Sequence, residues 1–214
     1  MRDRRRCGVW ITAAAITVLT CTTQAGVTSA PNGPAVAARA TDVASLTTPP
    51  LVRHARSQVG KTLHYDPAYT TLAYPGGDVP IERGVCTDVV IRALRPLGLD
   101  LQKAVHEDMR AHFAAYPKHW GLKRPDRNID HRRVPNLQRW FERQRWSQPD
   151  TQTASDYRAG DLVTWMLPGN LPHIGIVSDR RTGTRPLIIH NVGRGAKEED
   201  VLFAWPVTGH YRKP

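Results

Sequence analysis

From Leu51 onward, apolar positions first recur at helical spacing and later alternate as they do in strands. The apolar residues that follow Cys86 repeat about every three to four positions, which predicts a helix with one buried face. Pro96 and Gly98 then end this pattern. Helices are also predicted over residues 51–59, 101–116 and 136–144.

Beyond Tyr157 the period changes to two, which is typical of strands. Strands are predicted over residues 162–166, 173–178, 186–192 and 203–211, with a reversal of the chain over 179–185. Helices followed by a run of antiparallel strands indicate an α+β fold with N-terminal helices packed on an antiparallel sheet.

The start of the chain has the pattern of a secretory signal peptide over residues 1–30. Residues 1–6 are basic, residues 7–19 are uncharged and mostly apolar, and small residues follow at two possible cleavage points. The apolar run is too short for a comfortable membrane span, which disfavours an uncleaved anchor and a membrane span in the processed protein. Thr20 disfavours lipid attachment at Cys21, whereas the paired arginines leave a twin-arginine route open. We therefore expect export to the periplasm or the extracellular space.

Residues 31–50 are rich in Ala, Pro and Thr and are predicted to form a disordered lead-in to a single domain over 51–214. Removal of residues 1–30 lowers the formal net charge from +11 to +8. The basic residues are scattered along the chain and are not interleaved with aromatic residues, which argues against a nucleic-acid partner. A monomer whose basic surface faces an anionic partner such as the cell wall is the simpler interpretation.

Cys86 is the candidate nucleophile, because it is the one cysteine of three that remains after the leader is removed. A single cysteine cannot form an internal disulfide in an oxidising compartment. Cys86 lies where a glycine-containing loop enters a helix, and helix N–H groups and the helix dipole favour a thiolate there. Asp88 in the same turn is expected to cap the helix or to contact a substrate amine.

His173 is the candidate base, at the head of the strand over 173–178. Gly175 shares its strand face and leaves room beside the imidazole. His190 on the partner strand is expected to orient His173, or Asn191 if the strand register differs by one residue.

Each of these residues also has a structural interpretation. A free cysteine is often a small buried apolar residue, and a lone histidine is often a hydrogen-bonded structural one. Cys86, His173 and His190 would alternatively supply three ligands to a metal ion, but no paired-cysteine or paired-histidine spacing supports that. We therefore expect neither a metal nor an organic cofactor.

Two motifs, Gly160–Trp165 and His173–Val177, resemble the Gly-Asp-Leu-Val and His-Ile-Gly-Ile strands of NlpC/p60-type peptidases. This resemblance implies a papain-like fold, Cys86 as nucleophile, His173 as base and His190 as the third catalytic residue. It also implies hydrolysis of an amide bond in peptidoglycan stem peptides. Thr87 and Asp88 depart from the Ser-Gly that usually follows the family's cysteine.

Residues 51–211 also resemble the bacterial family called domain of unknown function 1287. The resemblance is carried by four blocks, over residues 84–90, 128–133, 173–179 and 209–211. The expected substrate contacts are Tyr65, Asp88, His131 and Asn191. Besides hydrolysis, two alternatives stay open: acyl transfer to an acceptor other than water, and a non-catalytic wall-binding module.

Overall fold

The structure is a computed structural model that describes residues 48–214, so the expected signal peptide and most of the expected lead-in lie outside the described residues. Four α-helices are present in this range, and two of them begin with a proline in their first turn, where the missing N–H is not needed. They are α1 (Pro50–Arg56), α2 (Cys86–Leu94), α3 (Leu101–Ala111) and α4 (Val134–Arg143).

Eight strands form two sheets among the described residues. They are β1 (His64–Tyr65), β2 (Arg83–Gly84), β3 (Ser147–Gln148), β4 (Leu162–Leu167), β5 (Leu171–Thr182), β6 (Arg185–Asn191), β7 (Ala196–Glu199) and β8 (Val207–Tyr211). The short strands β1 and β2 pair in parallel, while the other six form an antiparallel sheet in the order β3-β8-β4-β5-β6-β7. The predicted α+β class with helices packed on an antiparallel sheet is confirmed.

Helix α2 lies at the centre of the domain and packs against α1, β5 and β6. Its apolar residues at helical spacing, Val89, Val90, Ala93 and Leu94, are all fully buried. The helix is shorter than predicted, because a 3-10 turn over Arg95–Leu97 follows and contains Pro96, which has no N–H to continue the helical hydrogen bonding.

The two faces of the large sheet have different partners. On the helical face, Ile174, Ile176 and Ile189 pack in one buried cluster with residues of α2 that include Cys86. On the opposite face, Trp165 and the residues around it form a second cluster, which also holds Tyr157, Val163, Val177, Ile188 and Leu202. Because side chains alternate along a strand, neighbouring residues of β5 belong to different clusters.

Strand β5 is longer than predicted. It continues to Thr182, and β6 begins at Arg185, so the reversal between them is a tight turn at Gly183 with φ +58°. No helix among residues 48–214 is long and apolar enough to cross a bilayer.

Candidate active site around Cys86

Cys86 is the first residue of α2, directly after the extended residue Val85. Hydrogen bonding from the backbone N–H groups of Ile174, Thr87 and Cys86 itself lowers the pKa of its thiol. The first turn of a helix leaves such N–H groups without intrahelical partners, so they are free to serve a sulfur or a ligand. Donors in this arrangement can stabilise a thiolate or an oxyanion formed beside it.

The Cys86 thiol is only 3% exposed. Burial raises its pKa to about 12, and the charge of Asp88 also raises it, against the lowering effect of the three backbone N–H groups. The hydroxyl of Tyr65 lies beside the sulfur. Burial, and to a smaller extent the neighbouring Cys86, raises the pKa of Tyr65 to about 12. In this arrangement both groups are protonated near neutral pH, and Tyr65 is a donor rather than a base.

A cavity of about 150 Å³ lies next to the sulfur and is lined by Tyr65, Cys86, Trp120, Arg133 and further residues. A wider surface groove of about 800 Å³ adjoins it, and Trp120, Pro135 and Pro172 line both. Trp120 is 58% exposed. A ligand lying in the groove could therefore extend one end toward Cys86.

A chain of hydrogen bonds links His173, His190 and Glu199. Nε2 of His173 lies 2.8 Å from Nδ1 of His190, and Nε2 of His190 lies 3.2 Å from Oε2 of Glu199. A carboxylate can only accept, so His190 donates through Nε2–H and accepts at Nδ1 from the Nε2–H of His173. This order leaves Nδ1 of His173 as the unprotonated nitrogen, which is the form that a general base needs.

Both histidines are held neutral. Burial, together with the charge of His190, lowers the pKa of His173 to about 3. Burial also lowers the pKa of His190, against the raising effect of Glu199. A neutral imidazole is able to accept a proton, but a base with so low a pKa holds that proton weakly.

The sulfur and the imidazole of His173 are not joined by a hydrogen bond in the described residues. The ring of His173 lies on the opposite face of the sheet, with its centroid 5.9 Å from those of both Trp165 and Trp205. It is the next residue, Ile174, whose backbone reaches Cys86. The structure thus brings His173 to His190, and the adjacent backbone to Cys86, without bringing the two reacting side chains together.

Asp88 caps α2 and is fully engaged. Its Oδ2 accepts the N–H of Val85 at 2.7 Å, and its two oxygens accept from Nε and Nη2 of Arg132 at 3.0 and 2.9 Å. Both side chains of this ion pair are buried. Of the two expected roles, the cap is present, and Asp88 is buried and does not line the cavity where a substrate amine would lie.

Asn191 and His131 are both buried, and neither lines the cavity beside Cys86. Asn191 lies on the helical face and donates from Nδ2 to the carbonyl of Gly84 at 3.0 Å, which ties the end of β6 to strand β2 just before Cys86. His131 is 1% exposed, and burial lowers its pKa to about 3. Of the four expected substrate contacts, only Tyr65 lies in the cavity.

Three residues of this region were not singled out from the sequence: Trp120, Arg133 and Glu199. Glu199 belongs to the short polar strand β7, and Trp120 to a turn in which its φ is +61°. Their roles depend on contacts between distant segments, for which the local pattern gives no signal. In residues 48–214, no group of three or more His, Cys, Asp or Glu side chains is arranged to hold a metal ion.

Comparison with known proteins places the chain among relatives without an assigned activity. Residues 52–213 match the family described as Domain of unknown function (DUF1287). The "Uncharacterized protein YijF" of Escherichia coli (strain K12) is 64% identical over 160 residues, which make up 74% of this chain and 78% of that protein. The resemblance to this family is confirmed.

Proposed function

Because the chain belongs to the DUF1287 family, whose description assigns no activity, we propose from the site itself that the protein is an exported thiol hydrolase. Its substrate would be an amide bond in peptidoglycan stem peptides. The observation that supports this most is the position of Cys86 at the start of a helix and beside a cavity, where two backbone N–H groups of that helix and one of β5 lower the pKa of its thiol. A resemblance in short motifs to NlpC/p60-type peptidases, and not the fold alone, suggests the substrate.

The chemistry follows from these groups. His173 takes the thiol proton at Nδ1, and the sulfur of Cys86 attacks the amide carbonyl carbon. The oxyanion that forms accepts hydrogen bonds from the backbone N–H groups at the start of α2. The C–N bond then breaks as His173 returns the proton to the leaving amine, and a water molecule, deprotonated by His173, hydrolyses the thioester and restores the thiol.

The proposal requires a rearrangement when substrate binds. The thiol of Cys86 is protonated in the substrate-free arrangement, and the ring of His173 faces Trp165. Adjacent residues of a strand point to opposite faces, so the start of β5 has to turn before the imidazole of His173 reaches the sulfur. Because the backbone of Ile174 already reaches Cys86, the turn that this step needs is confined to one residue of β5.

Digestion of purified sacculi tests the proposal. The mature protein should release muropeptides, and mass spectrometry of the products would identify the bond that is cut. Cys86→Ala and Cys86→Ser should release none while folding normally, whereas Arg185→Gln, in an exposed ion pair with Asp200, should stay active. An active Cys86→Ala protein would contradict the proposal. Diversion of most product to an added amine at low concentration would instead indicate acyl transfer.

A non-catalytic wall-binding module is the second candidate, and a specific observation favours it. The thiol is buried and protonated, and no described histidine is hydrogen-bonded to it. The groove beside Trp120 would then bind wall peptide or glycan without chemistry. This candidate predicts that the wild-type protein sediments with sacculi and that Cys86 reacts with iodoacetamide no faster than glutathione does near neutral pH.

A further inference from the structure

The cavity beside Cys86 is electropositive. Two arginines, Arg132 and Arg133, line it, and no acidic residue does. Arg132 is neutralised, because it forms the buried two-bond ion pair with Asp88 and also donates to the carbonyls of Asp66 and Ala68. The net charge that remains at the cavity wall is therefore that of Arg133.

Arg133 has no counter-ion among the described residues. Its Nη1 is buried and has no hydrogen-bond partner there, whereas buried polar atoms in proteins are nearly always paired. Its guanidinium lies over the ring of Trp120, with Cζ 4.5 Å from the ring centroid. This cation–π contact holds the guanidinium at the ring without using its N–H donors, so the donors remain available for a ligand.

We propose that Arg133, held by Trp120, is a carboxylate-binding subsite beside Cys86, and that the ligand is a peptide with a free carboxylate close to the bond presented to the sulfur. A planar guanidinium matches a carboxylate with two parallel hydrogen bonds. A ligand carboxylate would neutralise the single uncompensated charge of the cavity. The inference deepens the proposed function, but binding at Arg133 does not depend on hydrolysis.

Two alkylating reagents that differ in one group test the subsite on the whole protein. Iodoacetate and iodoacetamide both form an S–C bond with the cysteine and release iodide, but only iodoacetate carries a carboxylate. The rate of reaction with iodoacetate is divided by the rate with iodoacetamide, both for Cys86 and for glutathione. The quotient for Cys86 should be about tenfold larger than that for glutathione, which is the gain that a charge-assisted hydrogen-bond pair provides. Arg133→Gln should abolish this preference, and Arg185→Gln, an exposed arginine that lines neither the cavity nor the groove, should retain it.

A binding measurement decides the question even if the buried thiol reacts with neither reagent. N-acetylalanine should shift the indole N–H resonance of Trp120, assigned with Trp120→Phe, in a saturable manner. N-acetylalaninamide should not shift it, and Arg133→Gln should remove the response. Equal shifts with both compounds, or a shift that persists in Arg133→Gln, would overturn the subsite.

The two proposals fail separately. Sacculi left intact by a protein that still discriminates between the reagents would reject the hydrolase and keep the subsite. Cleavage that depends on Cys86 but is unchanged in Arg133→Gln, with no preference for the carboxylate probes, would reject the subsite and keep the hydrolase.

Discussion

Nε2 of His173 lies 2.8 Å from Nδ1 of His190 across the β5–β6 pair. With Glu199 accepting from the far nitrogen of His190, this contact determines which nitrogen of each ring carries the proton. The arrangement therefore prepares His173 as a base at Nδ1, although the sulfur that it would serve lies on the other face of the sheet.

The first prediction concerns this histidine chain. If the protein is a hydrolase, His173→Ala should lower kcat on sacculi by at least about 100-fold, which is the usual contribution of a general base. His190→Ala should lower kcat by about tenfold with little change in KM, because it only orients the base. It should also move the acidic limb of the pH profile, an effect that a purely structural change would not produce.

Arg185→Gln is the control for these variants, since Arg185 lies on the same strand as His190 in an exposed ion pair with Asp200. It should leave both kcat and the pH profile unchanged. Wild-type turnover by His173→Ala would exclude this residue as the base.

The second prediction concerns the buried ion pair between Asp88 and Arg132. Arg132→Met would leave the Asp88 carboxylate buried without its partner, so the free energy of unfolding should fall by about 3–5 kcal/mol. The exposed pair of Arg139 and Glu142 is the matched control, and Arg139→Met should cost less than about 1 kcal/mol. Urea unfolding measures both, and equal effects of the two variants would show that burial of the first pair contributes nothing.

Helix positions could be predicted from the sequence because burial of one helix face imposes a regular spacing of apolar residues. This spacing is visible within the segment itself, without knowledge of its packing partners. Helix α2 began at Cys86 as expected, and β4 and β6 were located to within a residue or two. Strand β7 was missed, because Ala196–Glu199 is polar and alternates weakly at the edge of the sheet. Residues 101–116 were predicted as one helix, whereas α3 ends at Ala111 and a separate 3-10 turn follows.

The candidate site could be predicted only in part, for a related reason. The contact between His173 and His190 follows from two residues on adjacent strands, which local pattern and pairing rules can suggest. Which face of the sheet meets α2 depends on the packing of the whole domain, and here it is Ile174, rather than His173, that faces Cys86. The pairing of Asp88 with Arg132 joins residues 44 positions apart, for which a single sequence offers no rule.

The third prediction is a loss of stability in mild acid. Burial lowers the pKa of both His131 and His173 to about 3, far below the value of about 6.5 in an unfolded chain. Because the unfolded state binds more protons between these values, stability is fully present above pH of about 6.5 and is lost as the pH falls toward 3. Each histidine should remove about 1.4 kcal/mol per pH unit in this window.

Urea unfolding at pH 7 and pH 5 checks the sign and the size of this change in the free energy of unfolding. His131→Gln should weaken the pH dependence by the share of one histidine, while His119→Gln, at an exposed position, should leave it unchanged. A protein that is equally stable at both values would contradict the inferred burial of neutral imidazoles.

The fourth prediction concerns Gly175, which keeps space open between the two histidine-bearing strands. A Cβ at this position would lie 2.6 Å from Cγ2 of Ile188 and 3.1 Å from Cβ of His190. Gly175→Ala should therefore lower the free energy of unfolding by about 1–3 kcal/mol, as overpacking does. It should also displace His190 and alter its NMR titration.

A double-mutant cycle with Ile188→Ala isolates the steric cause, because that change removes the methyl group nearest the added Cβ. Ile188→Ala alone should cost about 2–5 kcal/mol through the cavity it leaves, and the double variant should be less destabilised than the sum by about 1 kcal/mol. Strict additivity of the two changes would mean that the strands separate to accept the methyl group, and that Gly175 does not determine the position of His190.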